Sequence, residues 1–471
     1  MGTAIARLKA LAHRLVSNSD IDDESRRIPK RDFNKASTNP YFRKHIRDLS
    51  IQEDDDNSYY TGILNILTEH CVGSIPSILG NHKSDIVNDT VEDRWREWSV
   101  ENGIGSVIRQ VRRGAARTGI GIAIPYQRKA DSTGIGLGFK AICSTQLCNP
   151  LQMEVGKRII DGIEYDSNWD IIAIYVKGND PFKPDKYNVP NEAIIWFKHT
   201  KEGMICGLPE CGPAFCLFPS VRRFMDAIVR GEEFRASIPM AIEVDPDYYK
   251  PEDITNGAIP GGSYEYEPGM VPTMLPGTKL AGLNIPMQSD ERTQFIKLVI
   301  GAAARCIQMP MNIALGDSSG HNMATAAYDV QPWENKVKID RVDFETVPRA
   351  IFRMWFARAI LISGMIPATG RSDFSFDLNY DSTFQHPDPG KRANARAVDL
   401  ASGSATLYEV YTDKGKNPRR ELDREARTLG ITREQLNEVI ISTRTKAFEA
   451  IFKEEEESNA REEQREEQRN K

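Results

Sequence analysis

The sequence predicts a multi-domain α+β protein, and three observations carry that prediction. The chain has 471 residues, more than one core usually serves, and at roughly 150 residues per domain it divides into about three. Between residues 104 and 206 the texture turns to short β-prone runs separated by Gly, Pro, Asn and Asp, which reads as an α+β domain. Beyond it, two stretches with helical spacing of apolar residues flank a Pro-, Gly- and Tyr-rich segment, as a small β-containing insertion between two helices would require.

The elements follow in order. MGTAIARLKALAHRLV places Ile5, Leu8, Leu11 and Leu15 at helical spacing, but Arg7, Lys9 and Arg14 interrupt the apolar core that a signal peptide needs, so a small basic amphipathic helix is expected. Ala6 stands where a myristoylation pattern requires Ser or Thr. Residues 17–60, with Pro29, Pro40 and the acidic run Glu53 to Asp56, read as an extended arm with short helices that wraps something. From Tyr59 to Val72 the positions of Ile63, Leu64, Ile66, Leu67 and Cys71 suit a buried helix capped by Gly73. A helix over about 90–101 sets Trp95 and Trp98 three apart on one face, as core tryptophans. The β-rich stretch then supplies IGIAIPY, FKAICS, DIIAIYVKG and EAIIWFKH.

Residues 213–236 return to helical spacing through Phe218, Val221, Met225 and Ile228; the insertion runs from Ile238 to Ile285, and the second helix from about Ser289 to Gln308. In 309–323, the turn formers Gly316, Asp317, Ser318, Ser319, Gly320 and Asn322 argue against regular structure and for a mobile loop. A long helical stretch from Ala324 to about Ser363 should be kinked at Pro332 and Pro348, each of which removes a backbone donor. A short β-prone return follows at Phe374, Phe376, Leu378 and Tyr380. Residues 388–451 look helical, and the acid-rich segment from Lys453 reads as a solvated helix or disordered tail.

Composition removes several classes of function. With 40% hydrophobic and 27% charged residues the chain is neither wholly disordered nor collagen-like. Its 61 Lys and Arg against 67 Asp and Glu, a net charge of −6, exclude a protein that coats DNA by neutralising phosphates, so any DNA contact should be loose. No run approaches the ~18–20 apolar residues of a membrane-spanning helix, and a soluble chain with no membrane partner is expected. Seven cysteines without paired local spacing point to a reducing compartment.

A search for chemistry finds none that a motif would announce. Gly277-Thr278-Lys279 lacks the Gly-Lys pair of a phosphate loop, and the Gly134, Gly136, Gly138 series runs into a strand rather than the helix of a dinucleotide site. Cys206, Cys211 and Cys216 recur every five residues, a spacing that spreads them around a helix axis, so they read as buried thiols. There is no HExxH and no GxSxG. No catalytic residue, metal site or cofactor is expected. The rival from another class is a metal-dependent nuclease whose carboxylates Asp161, Glu164, Asp166 and Asp170 converge on an ion.

The order of segments carries more than any one motif. An α+β domain, a helix, a small β insertion, a returning helix, a loop and a long kinked helix resemble, from about Arg47 to Ile431, the lambda-type phage portal family. The resembling stretches are NSYYTGILNILTEHCVGS (57–74), DRWREW (93–98), IDGIEYDSNWDIIAIYVKGNDP (160–181), CGLPECGPAF (206–215), EPGMVPTMLPGTKL (267–280), GDSSGHNMATAAYD (316–329) and HPDPGKRANARAVDLASGSATL (386–407). Ser74-Ile75-Pro76 departs from the family pattern, which has a second glycine there.

The resemblance implies a portal-protein fold of wing, stem, clip and crown, with long helices around a central channel. It implies a ring of twelve copies at one vertex of a viral head, through which double-stranded DNA enters and leaves. One helix per subunit, about 10 Å across, gives a circumference of ~120 Å and about 28 Å of clear bore, which passes a duplex of roughly 20 Å. Carried onto this chain, residues 1–39 are an N-terminal arm, 40–212 the wing with its return at 364–390, and 213–236 and 288–308 the stem. Residues 237–287 form the clip, 309–323 the tunnel loop, 324–363 the long kinked helix, 391–451 a helical crown and 452–471 a charged tail.

The implied partners are the terminase large subunit, the major capsid protein and neck or adaptor proteins; the implied place is the virion's portal vertex, with host cytoplasm during assembly. Another head-neck ring component, such as an adaptor, is disfavoured by length. Gly316, Asp317, Ser318, Ser319, Gly320, His321 and Asn322 would face DNA, where short polar groups suit transient contacts that carry no sequence information. Arg292, Lys297, Lys336, Lys338 and Arg341 are candidates for limited basic rings in the channel, with solvated helix faces or intersubunit salt bridges as alternatives. A bore lined densely with Lys and Arg would hold DNA by counterion release and impede its movement, so the acidic balance suits a conduit.

Overall fold

Asn57 breaks the first described helical stretch into two by turning its side chain onto the backbone. Its Oδ1 accepts from the N–H groups of Tyr59 and Tyr60 at 3.1 and 3.4 Å, ending α1 (Pro40–Asp56) and starting α2 (Ser58–Val72). This is a computed structural model that describes residues 40–449 except 130–131, 152–155, 179–183, 199–203, 216, 238–239, 245–277, 283–288, 318–322, 368–373, 381–388, 413 and 447–448. The N-terminal amphipathic helix, the arm before Pro40, most of the insertion and the charged tail therefore lie outside the described residues. Two compact units emerge: 1–213 with 304–471, and 214–303.

In the first unit α2 is the central post. Tyr60, Ile63, Leu64, Leu67 and Cys71 are fully buried, and Gly73 at φ 68° ends the helix with its N–H on the Glu69 carbonyl. Strand β1 (Ser77–Gly80) leads to α3 (Asp85–Glu101), whose Trp95 and Trp98 point inward as expected. The segment after it corrects the sequence reading. Residues 104–118, placed in the β-rich stretch, form a helix, α4 (Ile104–Thr118), because Ile104, Val107, Ile108, Val111 and Ala115 recur on one buried face. The arm reading is corrected too: from Pro40 it is one 17-residue helix, packed on α2 and α4.

The strands form small antiparallel sheets. Central β2 (Ile120–Gln127) pairs with β3 (Leu137–Ile142) and, after the meander β4 (Arg158–Ile160), β5 (Ile163–Tyr165), β6 (Ile171–Val176), β7 (Asp185–Asn188), with β8 (Ile194–Phe197). Ile120 and Ile122 of the first sheet and Ile163, Ile174 and Val176 of the second share one buried cluster with Ala193 and Cys206. Local rather than crossover connections and helices at the sheet margins make this an α+β unit. Two backbones touch at Gly119 and Gly207: a Cβ on Gly207 would lie 1.8 Å from the Gly119 carbonyl oxygen. Arg47 of α1 braces that contact, donating to Thr118 O at 3.0 Å and Gly207 O at 3.1 Å.

The second unit holds α5 (Phe218–Ser237), strands β9 (Met240–Val244) and β10 (Thr278–Gly282), and α6 (Ser289–Arg305). The strands pair antiparallel from Met240↔Gly282 to Val244↔Thr278, so the insertion's two ends meet as a ribbon. Phe224 and Phe295 join the helices with ring centroids 4.6 Å apart.

Back in the first unit come α7 (Met311–Leu315), α8 (Met323–Phe344) and α9 (Thr346–Ala359). Pro332 lies inside α8, and the chain breaks between α8 and α9 just before Pro348. Phe352 and Trp355 of α9 pack on Trp95 at 5.2 and 5.3 Å. β11 (Phe376–Asn379) then pairs with β1, Ser77 opposite Asn379. Helices α10 (Pro389–Ser402), α11 (Leu407–Thr412), α12 (Pro418–Leu429) and α13 (433–446) finish the unit. Asn417 caps α12 and also donates to Glu92 Oε2 at 2.6 Å, tying it to α3. Among the described residues no helix is long and apolar enough to cross a membrane.

Candidate functional site

The loop between α6 and α8 is where the sequence places the function, and the structure shows how its flanks are set. Ile307 and Met309 are buried, and the N–H of Met309 returns to Ala304 O at 3.1 Å. Pro310 then starts α7, having no N–H for a helix start to leave unpaired. Gly316, at φ 65°, stops it by donating to carbonyls of the same short helix. The 309–323 stretch expected to lack regular structure thus begins as a turn of helix, because Met311, Asn312, Ile313, Ala314 and Leu315 precede the first strong breaker. Of the seven residues assigned to DNA, Gly316 and Asp317 are described, the N–H of Asp317 reaching Asn312 O at 3.2 Å. Ser318, Ser319, Gly320, His321 and Asn322 lie outside the described residues.

Downstream, α8 is fixed along one face by Trp333, Val337, Asp340 and Phe344, all buried at helical spacing. The Trp333 indole donates to His70 Nδ1 at 2.9 Å. Arg341 donates to the carbonyls of His70 at 2.9 Å and Cys71 at 3.2 Å, supplying positive charge to the orphan carbonyls that close α2.

Beside that joint lies a buried charge cluster. Arg112 of α4 is fully buried; it donates to Glu210 at 2.6 Å and Asp340 at 3.2 Å, with its guanidinium 5.5 Å from the centre of the Trp196 ring. Lys198 and Lys336 both donate to Asp340, and Lys336 also pairs with Glu210 at 3.5 Å. Burial opposes ionisation of Glu210, but Arg112, Lys336 and Lys198 outweigh it and hold its carboxyl at about 2. Burial brings the Lys198 ammonium down to about 8; Glu210 resists this, and Lys336 and Arg112 add to it. Such a network adds little over apolar packing but is costly to break, so its consequence is a fixed register between α8, α4 and the 206–213 segment.

Two of the basic residues proposed for the channel have partners within the chain. Lys336 belongs to the buried cluster and Arg341 to the α2 terminus, so both are engaged within one chain. Lys338 is exposed and pairs with Glu334 at 3.6 Å. Lys297 is half-buried on α6, and the Arg292 side chain lies outside the described set.

The nuclease carboxylates do not converge. Asp161 is held by Arg43 at 2.7 Å and Arg47 at 2.9 Å, Glu164 by Lys186 and the Tyr175 hydroxyl, each at 2.8 Å. Asp166 accepts the N–H groups of Asn168 and Asp170 within its own turn. Among the described residues no group of three His, Cys, Asp or Glu side chains is placed to hold a metal ion. Cys206 and Cys211 are buried free thiols, Cys206 sharing its sulfur with the Tyr165 hydroxyl at 3.1 Å.

Sequence reasoning missed Arg112, Lys198, Glu210 and Asp340. Two of them left a trace: Arg112 falls on the same face as Ile108, Ala115 and Ala116, and Asp340 on that of Trp333, Val337 and Phe344. A charge in the middle of an apolar stripe demands a partner.

A family model described as phage portal protein, lambda family, matches residues 23–329, more than half of the chain. No curated protein matches it. Among solved structures, a chain from the virion of a native gene transfer agent particle aligns at 11% identity and TM-score 0.43, covering 78% of this chain and 93% of that one. A chain from the neck of an empty gene transfer agent particle, computed with C6 symmetry, aligns at 11% identity and TM-score 0.44, covering 81% and 94%. The family match takes in most of the α+β region before residue 213, both helices of the second unit, the loop and the start of α8, and on that match this chain belongs to the lambda family of phage portal proteins.

Proposed function

We propose that this portal subunit closes with about eleven further copies into a ring at one vertex of a viral head, and that double-stranded DNA passes through the ring during packaging and ejection. The observation that carries the reading is the helix, β-ribbon, helix excursion of the second unit, followed at once by the Gly316 stop and the braced α8, all within the family match apart from the end of α8. In that ring, 213–236 and 288–308 are the stem, 237–287 the clip that meets the terminase large subunit and later the neck or adaptor proteins, and 309–323 the tunnel loop. Residues 40–212 with 364–390 form the wing toward the major capsid protein, 324–363 the long helix behind the loop, and 391–451 the crown. The subunit does no covalent chemistry; ATP hydrolysis belongs to the terminase.

The buried cluster supports the reading physically. A loop that brushes moving DNA needs a stiff mount, and α8 has one in His70, Arg112 and Glu210. Imaging of the purified chain tests the proposal: closed rings of about twelve subunits with a central hole are expected, and a compact monomer under all assembly conditions overturns it.

A further inference from the structure

A cavity of about 340 Å³ opens in the first unit between β1, α3 and the start of α12. Pro76, Ile78, Leu79 and Trp95, all buried, make its apolar wall. It shares no residue with the Arg112 cluster or with the joint between α2 and α8.

Its rim is charged, and unevenly. Among the described residues that line it, four are cations, Arg96, Lys416, Arg420 and Arg424, against two carboxylates, Glu92 and Glu421. Glu92 is engaged in holding the walls together: its Oε1 accepts the Gly80 N–H at 2.9 Å and its Oε2 the Asn417 side chain at 2.6 Å. Arg420 pairs with Asp89, Glu92 and Asp93, and Lys416 with Glu421 at 3.1 Å. Arg96 and Arg424, on opposite walls, are 76% and 78% exposed, and each pairs with an acid that a closer cation already holds: Asp93 at 3.8 Å and Glu421 at 3.5 Å. Pairs so exposed and so long contribute little, so both guanidiniums are open to a better acceptor. Helix α12 starts at Pro418 and adds the positive end of its dipole to the same rim.

An aliphatic and indole wall beneath two weakly neutralised arginines selects a ligand with both halves. The rim refuses a cation. The forked guanidinium matches a carboxylate in two parallel hydrogen bonds, and the wall rewards an apolar side chain beside it. Nucleic acid would use the rim and leave the wall empty. The volume sits at the small end of the roughly 300–1,000 Å³ of ligand sites, room for one or two side chains. We propose that this cavity docks an acidic segment of another protein, with carboxylates on Arg96 and Arg424 and a leucine-sized side chain between them against Ile78, Leu79 and Trp95. The cavity lies wholly within the first unit of one chain, so the proposal stands or falls separately from ring assembly.

Fluorescence anisotropy of the full chain with a labelled probe peptide, Glu-Leu-Asp-Leu-Glu, tests it. Saturable binding is expected, about tenfold or more weaker for Gln-Leu-Asn-Leu-Gln, which loses the charge-assisted bonds, and for Glu-Ser-Asp-Ser-Glu, which loses the apolar burial. The R96Q/R424Q double variant should weaken the probe by a similar factor, while R94Q, an exposed arginine of α3 that does not line the cavity, leaves it unchanged. Absence of saturable binding overturns the proposal, as do equal binding of all three peptides and an equal loss in R94Q. Displacement of the probe by inorganic phosphate or oligothymidylate at matched charge also overturns it, by showing a site for anions alone. With photoleucine as the first leucine of the probe, the adduct must fall within residues 75–79, 95–99 or 415–424, and an adduct elsewhere refutes the placement.

Discussion

The indole N–H of Trp333 meets Nδ1 of His70 across 2.9 Å, joining the middle of α8 to the last turn of α2. An indole nitrogen only donates, so His70 Nδ1 must carry a lone pair and the folded state requires this nitrogen unprotonated. Burial lowers the His70 pKa; Arg341 lowers it further while Glu69 pulls the other way, and Lys336 lies over the Trp333 ring.

Acid should therefore loosen this joint. With the folded-state pKa below the ordinary 6.5, the unfolded chain takes up the proton first, so the contribution is complete above about pH 6.5 and falls as the pH drops toward the folded value. Denaturant midpoints at pH 7.5 and pH 5 should show a loss for the unaltered chain and a smaller one for H70Q, which keeps an acceptor that does not titrate.

Breaking the buried cluster should be costly. R112A leaves Glu210 and Asp340 buried with two lysines between them, and a loss of about 3–5 kcal/mol is expected. R112K keeps the charge without the fork and should lose less. Thermal unfolding monitored at Trp196, whose ring lies under the guanidinium, compares the two.

Lys198 predicts the same direction of pH dependence as His70, in a more alkaline window. Its folded-state pKa of about 8 lies below the ordinary lysine value of 10.5, so between those pH values the unfolded chain holds more protons and stability rises with pH. Replacing Lys198 by Met should flatten the curve there; a slope unchanged by the substitution would refute the assignment.

The Gly119–Gly207 contact admits no side chain. G207A puts a methyl within 1.8 Å of a carbonyl oxygen, beyond what the ordinary overpacking cost of about 1–3 kcal/mol describes. Loss of soluble full-length chain is expected, whereas G231A, with open space around its Cβ, should express normally.

Deleting residues 316–322 tests the proposed tunnel loop. Rings should assemble as before, while particles carrying the deletion package or retain less DNA; failure to assemble would place those residues in subunit contacts instead.

Much of this was legible in the sequence wherever one residue type forces one conformation. Gly73 and Gly316 stop helices, Pro332 and Pro348 mark the long helical stretch, and Trp95 with Trp98 declare a buried face. The α4 helix was hidden because it runs directly into the β-prone IGIAIPY, so a window spanning both averaged two periods. The partners of Arg112 were hidden for a different reason: Glu210 and Asp340 are 98 and 228 residues away, and no local pattern encodes a distant counter-charge.

The β1–β11 pairing also constrains synthesis. Ser77 and Asn379 are separated by 302 positions, and a ribosome adding about 5–20 residues per second needs roughly 15–60 s to cover that interval. Throughout it Ile78 and Leu79, buried in the finished protein, have no strand to cover them. The nascent chain must therefore hold an unsealed edge while the entire second unit is translated, and a holdase that dwells on Ser77–Gly80 for that period would limit how quickly new subunits become available.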